Sequence, residues 1–237
     1  DKVVESCHGC YDLMSKYSKK MQTLVETGSR VVAVLEGGLL FGLPSIQATQ
    51  TTFPIISVPL DNIAYTAFMV PSGHAAIATV GIDTDLTQKT NALACAEKIL
   101  NLENSLVGIA DDFSNGRLQE ALKKYDLKFE EVNPTGLTLA HNCCEYYQNP
   151  GKILVRADSD ESVKDWNYLK RAEERHHLKH FNEAPALQVR GIENLAIFAA
   201  KIISLQRPEL RIKIKEIGEK KRSTYKEINI YSKVMTI

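Results

Sequence analysis

The sequence predicts an α/β protein in which a parallel sheet carries helices on both faces. Continuous apolar runs such as RVVAVL (Arg30–Leu35) and FPIISVPL (Phe53–Leu60) are typical of strands buried on both faces of a parallel sheet. Segments with apolar residues at helical spacing alternate with these runs. A β-α-β-α order is how parallel strands are connected, so both observations favour the same fold class.

The first predicted domain spans residues 1–103. It opens with the short strand DKVVE, followed by an amphipathic helix in which apolar residues recur every three or four positions. The strand at Arg30–Leu35 ends in the turn Gly37-Gly38, and a short helix starts at about Leu43. The amphipathic helix is predicted at Tyr11–Thr27, and the remaining predicted elements are the strands Phe53–Leu60 and Ala75–Ile82 and the helix Thr87–Leu100.

The second predicted domain spans residues 104–237 and restarts the same alternation. Its segment 133–182 is much more polar than the rest, and no strand is predicted there. The predicted elements are the strand Ser105–Ala110, the helix Asn115–Tyr125, the strands Lys128–Val132 and Pro185–Val189, and two helices separated at Pro208.

An internal repeat links the two predicted domains. NALACAEKILNL (Asn91–Leu102) aligns without a gap to NLAIFAAKIISL (Asn194–Leu205), and each copy follows an apolar strand. Apolar periodicity alone makes helices look alike, but the shared Asn start and Lys-Ile pair favour a true duplication. The sequence therefore predicts two tandem copies of one α/β unit, the second degenerate in its middle.

Composition excludes several classes of function. The 237 residues carry 29 basic and 29 acidic side chains, so the chain lacks the basic excess of a nucleic-acid-binding protein. No run of 18 apolar residues predicts a membrane span, and no signal peptide is visible. Five cysteines, an odd number, are expected to be reduced thiols in the cytoplasm.

The motif C-x-x-C at Cys7 and Cys10 has three interpretations. A structural zinc site needs four ligands, and the other cysteine pair, Cys143-Cys144, is adjacent and in a different context. A thioredoxin-like redox pair fits the strand before it and the helix after it, but the segments that complete that fold are absent. Chance co-occurrence is favoured, and no metal is expected here.

His8 and Ser6 follow the first predicted strand, as Gly37-Gly38 follows the next. Ligands of open α/β sheets bind beyond the carboxyl ends of strands, so these residues are expected at one rim. The segments SCH, VVAVLEGGLLFGLPSIQATQTTFPIISVPL and VPSGHAAIATVGID, in this order and spacing, resemble the PurE family over about residues 3–102. The resemblance returns weakly at 105–132 and 185–222.

The resemblance implies a fold and an activity. The fold would be a three-layer α/β/α sandwich of flavodoxin-like or Rossmann-like type. The activity would be carboxylation of aminoimidazole ribonucleotide, or carboxyl transfer from its N5-carboxy form, in de novo purine biosynthesis. The substrates would be a ribonucleotide and carbon dioxide or bicarbonate, without a cofactor. Members form octamers, so a chain of two fused units is expected to form a homo-tetramer.

The resemblance also implies roles for individual residues. His8 matches the family's catalytic histidine, a general acid/base at the imidazole carbon, and Ser6 matches the serine that helps to hold the ribonucleotide. The other implied substrate-binding residues are Gly37, Gly38, Gly42 and Leu43 in the glycine-rich loop and Ser72 and Gly73 in a second loop. Ser72 resembles the animal-type carboxylases, whereas bacterial mutases usually have Arg there.

Departures from the family pattern support a second hypothesis, a non-catalytic paralogue that binds a nucleotide or serves assembly. Gly9 stands where the family has a phosphate-binding Arg or Lys, and Phe41 is near the position of a mutase His. The family's first strand and its Gly-Ser-x-Ser-Asp phosphate loop are expected upstream of residue 1, or are replaced. Asp111, Asp112 and Ser114 are the candidates for a replacement, without its glycine and serine pattern.

Other motifs have plainer interpretations. His176 and His180 could bind zinc at their i, i+4 spacing, but a solvated helix face is favoured because the segment is polar all round. His74 could line the site or be structural. The nickel-pincer cofactor carboxylases share a core like GLPSIQATQTTFPIISVP but lack Ser-x-His, so Ser6 and His8 argue against them.

Overall fold

The computed structural model describes residues 11–38, 43–61, 76–80, 86–109, 116–130, 136–141, 153–158 and 186–227. These ranges form six helices and eight strands. The helices are α1 (Tyr11–Glu26), α2 (Leu43–Gln50), α3 (Thr87–Leu100), α4 (Arg117–Lys123), α5 (Ile192–Ile203) and α6 (Glu209–Glu227). The strands are β1 (Ala33–Gly37), β2 (Ile55–Pro59), β3 (Ala78–Thr79), β4 (Val107–Ile109), β5 (Phe129–Glu130), β6 (Leu137–His141), β7 (Ile153–Asp158) and β8 (Ala186–Arg190).

The eight strands form one sheet in the order β1-β2-β3-β8-β7-β6-β4-β5. Neighbouring strands are parallel except at the centre, where β3 and β8 are antiparallel and Thr79 lies opposite Gln188. The α/β class is therefore confirmed, while the sheet is mixed and not wholly parallel. Beyond the junction, β4 to β8 follow the 2-1-3-4-5 order of a flavodoxin-like unit. The order β1-β2-β3 corresponds to the last three positions of that arrangement.

Most predicted elements are present, with two kinds of difference. Helix α3 has both of its predicted ends, and the helix break at Pro208 separates α5 from α6. Strand β1 starts at Ala33, three residues later than predicted, because its ladder with β2 begins at the pair Ala33 and Ile55. Strands β6 and β7 were not predicted at all. Their short apolar cores, LTLA and ILV, lie within a segment whose average composition is polar.

Helix α5 is buried on every side. All of its residues except Glu193 are buried, and it packs against β6, β7, β8, α4 and α6. A helix that is apolar all round belongs in such a position. Gly191 allows α5 to begin directly after β8, since its φ of 72° is one that residues with a side chain rarely adopt. Helix α5 is thus the element around which the carboxyl-terminal part of the chain packs.

The carboxyl end of α2 is buried against α5, where its last carbonyl groups cannot bond to water. Lys201 Nζ donates a hydrogen bond of 2.7 Å to the Ala48 carbonyl, and Thr51 Oγ1 donates one of 2.9 Å to the Gln47 carbonyl. Ser204 Oγ donates to the Thr52 carbonyl at 3.3 Å. Carbonyls at a helix end have no partner within the helix, so these side chains supply the donors that the end of α2 needs.

Arg211, in the first turn of α6, donates hydrogen bonds at the ends of two further helices. Its Nη1 donates to the Val25 carbonyl of α1 at 2.5 Å, and its Nε donates to the Ser204 carbonyl beyond α5 at 3.1 Å. Burial lowers the pKa of the Arg211 guanidinium, but arginine stays charged in proteins. At the end of α3, Arg30 donates to the Leu100 carbonyl and Gln206 donates to the Leu102 carbonyl. Side chains from other elements therefore donate hydrogen bonds to carbonyl groups at or just beyond the carboxyl ends of four helices, α1, α2, α3 and α5.

Replacing Arg211 with Met is expected to lower the free energy of unfolding by about 2–3 kcal/mol, because two charge-assisted hydrogen bonds are lost in a buried place. The control is Lys213→Met on the same helix. Lys213 pairs with Asp126 at the surface, so its loss is expected to cost less than about 1 kcal/mol. Urea denaturation measures both, and equal losses in the two variants would contradict the capping role of Arg211.

Candidate functional site

The carboxyl ends of β1 and β2 lie side by side and form the described part of the candidate site. The Leu60 N–H donates a hydrogen bond of 2.9 Å to the Gly37 carbonyl, just beyond the last pair of the ladder, Gly37 and Pro59. Ligands of α/β sheets bind beyond this edge. Gly37 and Gly38 were predicted to lie at such a rim, and the structure places Gly37 at the end of β1 and Gly38 directly after it.

Asp61 is a rim residue that the sequence analysis did not identify. A Cβ atom built on Gly38 would lie 2.6 Å from Asp61 Oδ2, closer than real Cβ contacts. Gly38 therefore allows the carboxylate of Asp61 to approach the backbone directly after β1. Asp61 is half-buried, so its carboxylate can accept hydrogen bonds from a polar ligand at this rim. A contact between residues 23 positions apart depends on strand pairing and leaves no local signal.

One ion pair connects this edge to helix α3. Lys89 Nζ lies 2.5 Å from Glu36 Oε2, the side chain next to Gly37. Glu36 lies on the opposite face of the strand from its neighbours, since successive side chains alternate. Both side chains are partly exposed, so the pair contributes little to stability. Its consequence is that Lys89 balances the acidic charge of Glu36.

The other predicted site residues lie largely outside the described residues. Leu43 is the first residue of α2, and only its backbone is described. Ser6, His8, Gly42, Ser72 and Gly73 fall outside the described ranges. The structure therefore brings together two of the predicted site residues, Gly37 and Gly38, with Asp61.

A second location emerges from the strand order. In an open α/β sheet the ligand crevice lies where the strand order reverses, and among the described strands this reversal is between β4 and β6. Strand β4 ends at Ile109 and β6 ends at His141. The half of the chain that was expected to be a degenerate copy thus contains a complete 2-1-3-4-5 arrangement with its own switch point. The residues Asp111 and Asp112, which follow β4 in the sequence, lie outside the described ranges.

The described residues contain no group of three or more His, Cys, Asp or Glu side chains that could hold a metal ion. Cys7, Cys10, His176 and His180 and the pair Cys143-Cys144 lie outside them, so the predictions about these residues remain predictions. Cys95 is buried in α3 and forms no disulfide. Burial raises the pKa of its thiol to about 12, which keeps it protonated and unreactive at neutral pH.

Comparison with known proteins gave no match to a family model, to a curated protein or to a solved structure. Among the helices in the described ranges, none combines the length and apolar character that crossing a membrane requires.

Replacing Gly38 with Ala is expected to displace the Asp61 carboxylate at a cost of less than about 1 kcal/mol, because the end of a side chain can rotate away. The Gly38→Ala change should cost less still in an Asp61→Ala background, where the obstructing oxygen is gone. A double-mutant cycle by urea denaturation measures this coupling. An equal cost of Gly38→Ala in both backgrounds would contradict the contact.

Proposed function

We propose that the chain carries out PurE-type carboxylation of aminoimidazole ribonucleotide, or carboxyl transfer from its N5-carboxy form, in purine biosynthesis. The observation that supports this proposal is the position of Gly37 and Gly38 at the carboxyl ends of β1 and β2, the edge of an α/β sheet beyond which ligands bind. Such a reaction uses soluble metabolites, so a cytoplasmic location is part of the proposal.

In the proposed reaction, His8 takes the proton from the imidazole carbon when the carboxyl group arrives. An imidazole with an ordinary pKa is well suited to this, since it can accept and release a proton near neutral pH. Ser6 would help to hold the ribonucleotide. The backbone after Gly37 would approach the carboxylate or carbon dioxide closely, because glycine has no side chain to prevent it. Asp61 would accept a hydrogen bond from a polar group of the substrate.

We further propose that the chain consists of two tandem copies of one α/β unit. The repeated sequence forms α3 and α5, and each of these helices follows the strand next to the central junction, β3 or β8. Three strands lead up to the junction from each side in the order of the sequence. They are β1, β2 and β3 on one side and β6, β7 and β8 on the other. A chance likeness of two amphipathic helices would not require matching places in the strand order. The three-layer arrangement of helices belongs to the same proposal.

His8→Asn is expected to remove nearly all turnover and to leave ribonucleotide binding mostly intact. A positioned general acid/base contributes on the order of 10²–10⁴-fold to rate, so the variant should keep less than about a tenth of the activity. The measurements are formation of 4-carboxy-aminoimidazole ribonucleotide and ligand binding by calorimetry, each with the unmodified chain and the variant. A matched control is His180→Asn, which should keep its turnover because His180 is expected on a solvated helix face and has no assigned role at the site.

Two outcomes would contradict the assignment in different ways. If the unmodified chain binds the ribonucleotide and never turns it over, the non-catalytic paralogue is correct, as Gly9 in place of a phosphate-binding cation would favour. If His8→Asn keeps more than about a tenth of the activity, His8 is not the proton carrier. If the unmodified chain does not bind the ribonucleotide at all, the proposed substrate class is wrong.

The same proposal predicts a homo-tetramer, in which four chains supply eight α/β units. Segment 209–222, most of α6, is expected to lie across an interface between chains. Ile212 on this helix is 64% exposed in the single chain, as an interface residue would be. Light scattering should give four times the mass of the 26.4 kDa chain. A stable monomer at micromolar concentration would overturn this prediction.

A further inference from the structure

A small cavity lies beside Lys201, between the end of α2 and helix α6. Its volume is about 40 Å³, room for roughly three water-sized groups. Its wall includes Ala48, Thr51, Tyr125, Ile197, Ile214 and Lys215 along with Lys201. No step of the proposed carboxylation uses this cavity, and its residues belong to other elements than the rim at Gly38.

Lys201 is the chemically unusual group in this wall. Only 1% of the residue is exposed, and among the described residues its amine has one hydrogen-bond acceptor, the Ala48 carbonyl. Burial lowers the pKa of Lys201 to about 7. A neutral amine donates one N–H to that carbonyl and keeps its lone pair, which makes it a nucleophile, as in lysines activated by a hydrophobic pocket.

The internal repeat provides a comparison within the same chain. Lys98 of α3 is the counterpart of Lys201, on a helix that buries only Ala92, Cys95, Ala96 and Ile99. Lys98 is half-buried, and its counterpart is enclosed by α2, α6 and the turn after α4. The same residue at the same place in the repeat therefore has an ordinary environment in one copy and a desolvated one in the other.

The charges around the cavity select the kind of ligand. The titratable side chains in its wall, besides Lys201, are Lys215 and Tyr125. Lys215 Nζ is 2.9 Å from Glu26 of α1, so its charge is balanced, and burial raises the pKa of the Tyr125 phenol, which therefore stays neutral. The carbonyl end of α2 is the negative end of a helix dipole and disfavours an anion. A small neutral molecule against Ile197 and Ile214 fits best.

We propose that Lys201 forms a Schiff base with a small neutral aldehyde that enters this cavity. The amine nitrogen bonds to the carbonyl carbon, the carbonyl π bond opens, and one of the two nitrogen-bound hydrogens moves as a proton to the oxygen, which gives a carbinolamine. Loss of that hydroxyl as water, with the last nitrogen-bound hydrogen released as a proton, gives the neutral imine. One water is formed for each aldehyde bound, and no oxidant or reductant takes part. The hydrogen bond from Lys201 to the Ala48 carbonyl is lost in this step, because the imine nitrogen has no hydrogen to donate.

The test uses the unmodified full-length chain, acetaldehyde as probe and cyanoborohydride to reduce any imine to a stable secondary amine. Peptide mapping by mass spectrometry then compares Lys201 with Lys98. At pH 7.5 about three quarters of an amine with a pKa of about 7 is neutral, against about one in a thousand for an ordinary lysine. We expect at least a tenfold excess of ethylation at Lys201 in short reactions.

Two further measurements distinguish specific binding in the cavity from the general reactivity of lysine side chains with aldehydes. Labelling of Lys201 should rise as pH increases from 6 to 8 and then level off, because most of its amine is then neutral. Glyoxylate, a larger aldehyde that carries a carboxylate, should label Lys201 at least tenfold less than acetaldehyde does. Equal labelling of Lys201 and Lys98, or no labelling of Lys201 in the folded chain, would overturn the proposal.

Variants supply the matched control. Lys201→Met should abolish the labelled peptide, and Lys98→Met should leave labelling of Lys201 unchanged. Circular dichroism reports whether Lys201→Met still folds, since it also removes the cap of α2. The mapping on the unmodified chain decides the question even if that variant does not fold. Failure of this test would not affect the carboxylation proposal, which is measured by turnover at a different site.

Discussion

The fold of the described residues depends on hydrogen-bond donors for the carbonyl groups at buried carboxyl ends of helices. Ends of α1, α2 and α3 and the end of α5 meet around the start of α6, where water cannot supply hydrogen bonds to their last carbonyl groups. The amine of Lys201 and the guanidinium of Arg211 donate to some of these carbonyls, and the hydroxyl groups of Thr51 and Ser204 donate to others. A buried carbonyl without a donor costs free energy comparable to a lost hydrogen bond, so these few side chains permit the whole arrangement.

Burying Lys201 has a cost as well as a benefit. Removing an ammonium group from water is unfavourable, and the lowered pKa of Lys201 is the expression of that cost. The unfolded chain holds this proton up to the ordinary lysine pKa, so between about pH 7 and 10 it binds more protons here than the folded chain does. This group therefore makes the folded state more stable as pH rises through that range. The same desolvation that weakens the fold at lower pH is what makes the amine a nucleophile.

The limits of the sequence analysis follow from what is local and what is not. Helix α3 could be predicted to its ends because apolar spacing and its terminal residues lie within the segment itself. The start of β1 was three residues off because Val31 and Val32 are apolar without being paired, and pairing with β2 decides where the ladder begins. The short strands β6 and β7 were hidden by the polar average of their surroundings. Asp61 at the rim and Lys201 in its cavity could not be identified, because both depend on contacts between distant segments.

The antiparallel pair of β3 and β8 sets the direction of everything on either side of it. The carboxyl ends of β1 and β2 lie at one edge of the sheet, and those of β4 and β6 lie at the opposite edge. The edge beyond β1 and β2 and the edge beyond β4 and β6 therefore face in opposite directions, and a ligand at one of them does not share a crevice formed by the described strands with a ligand at the other.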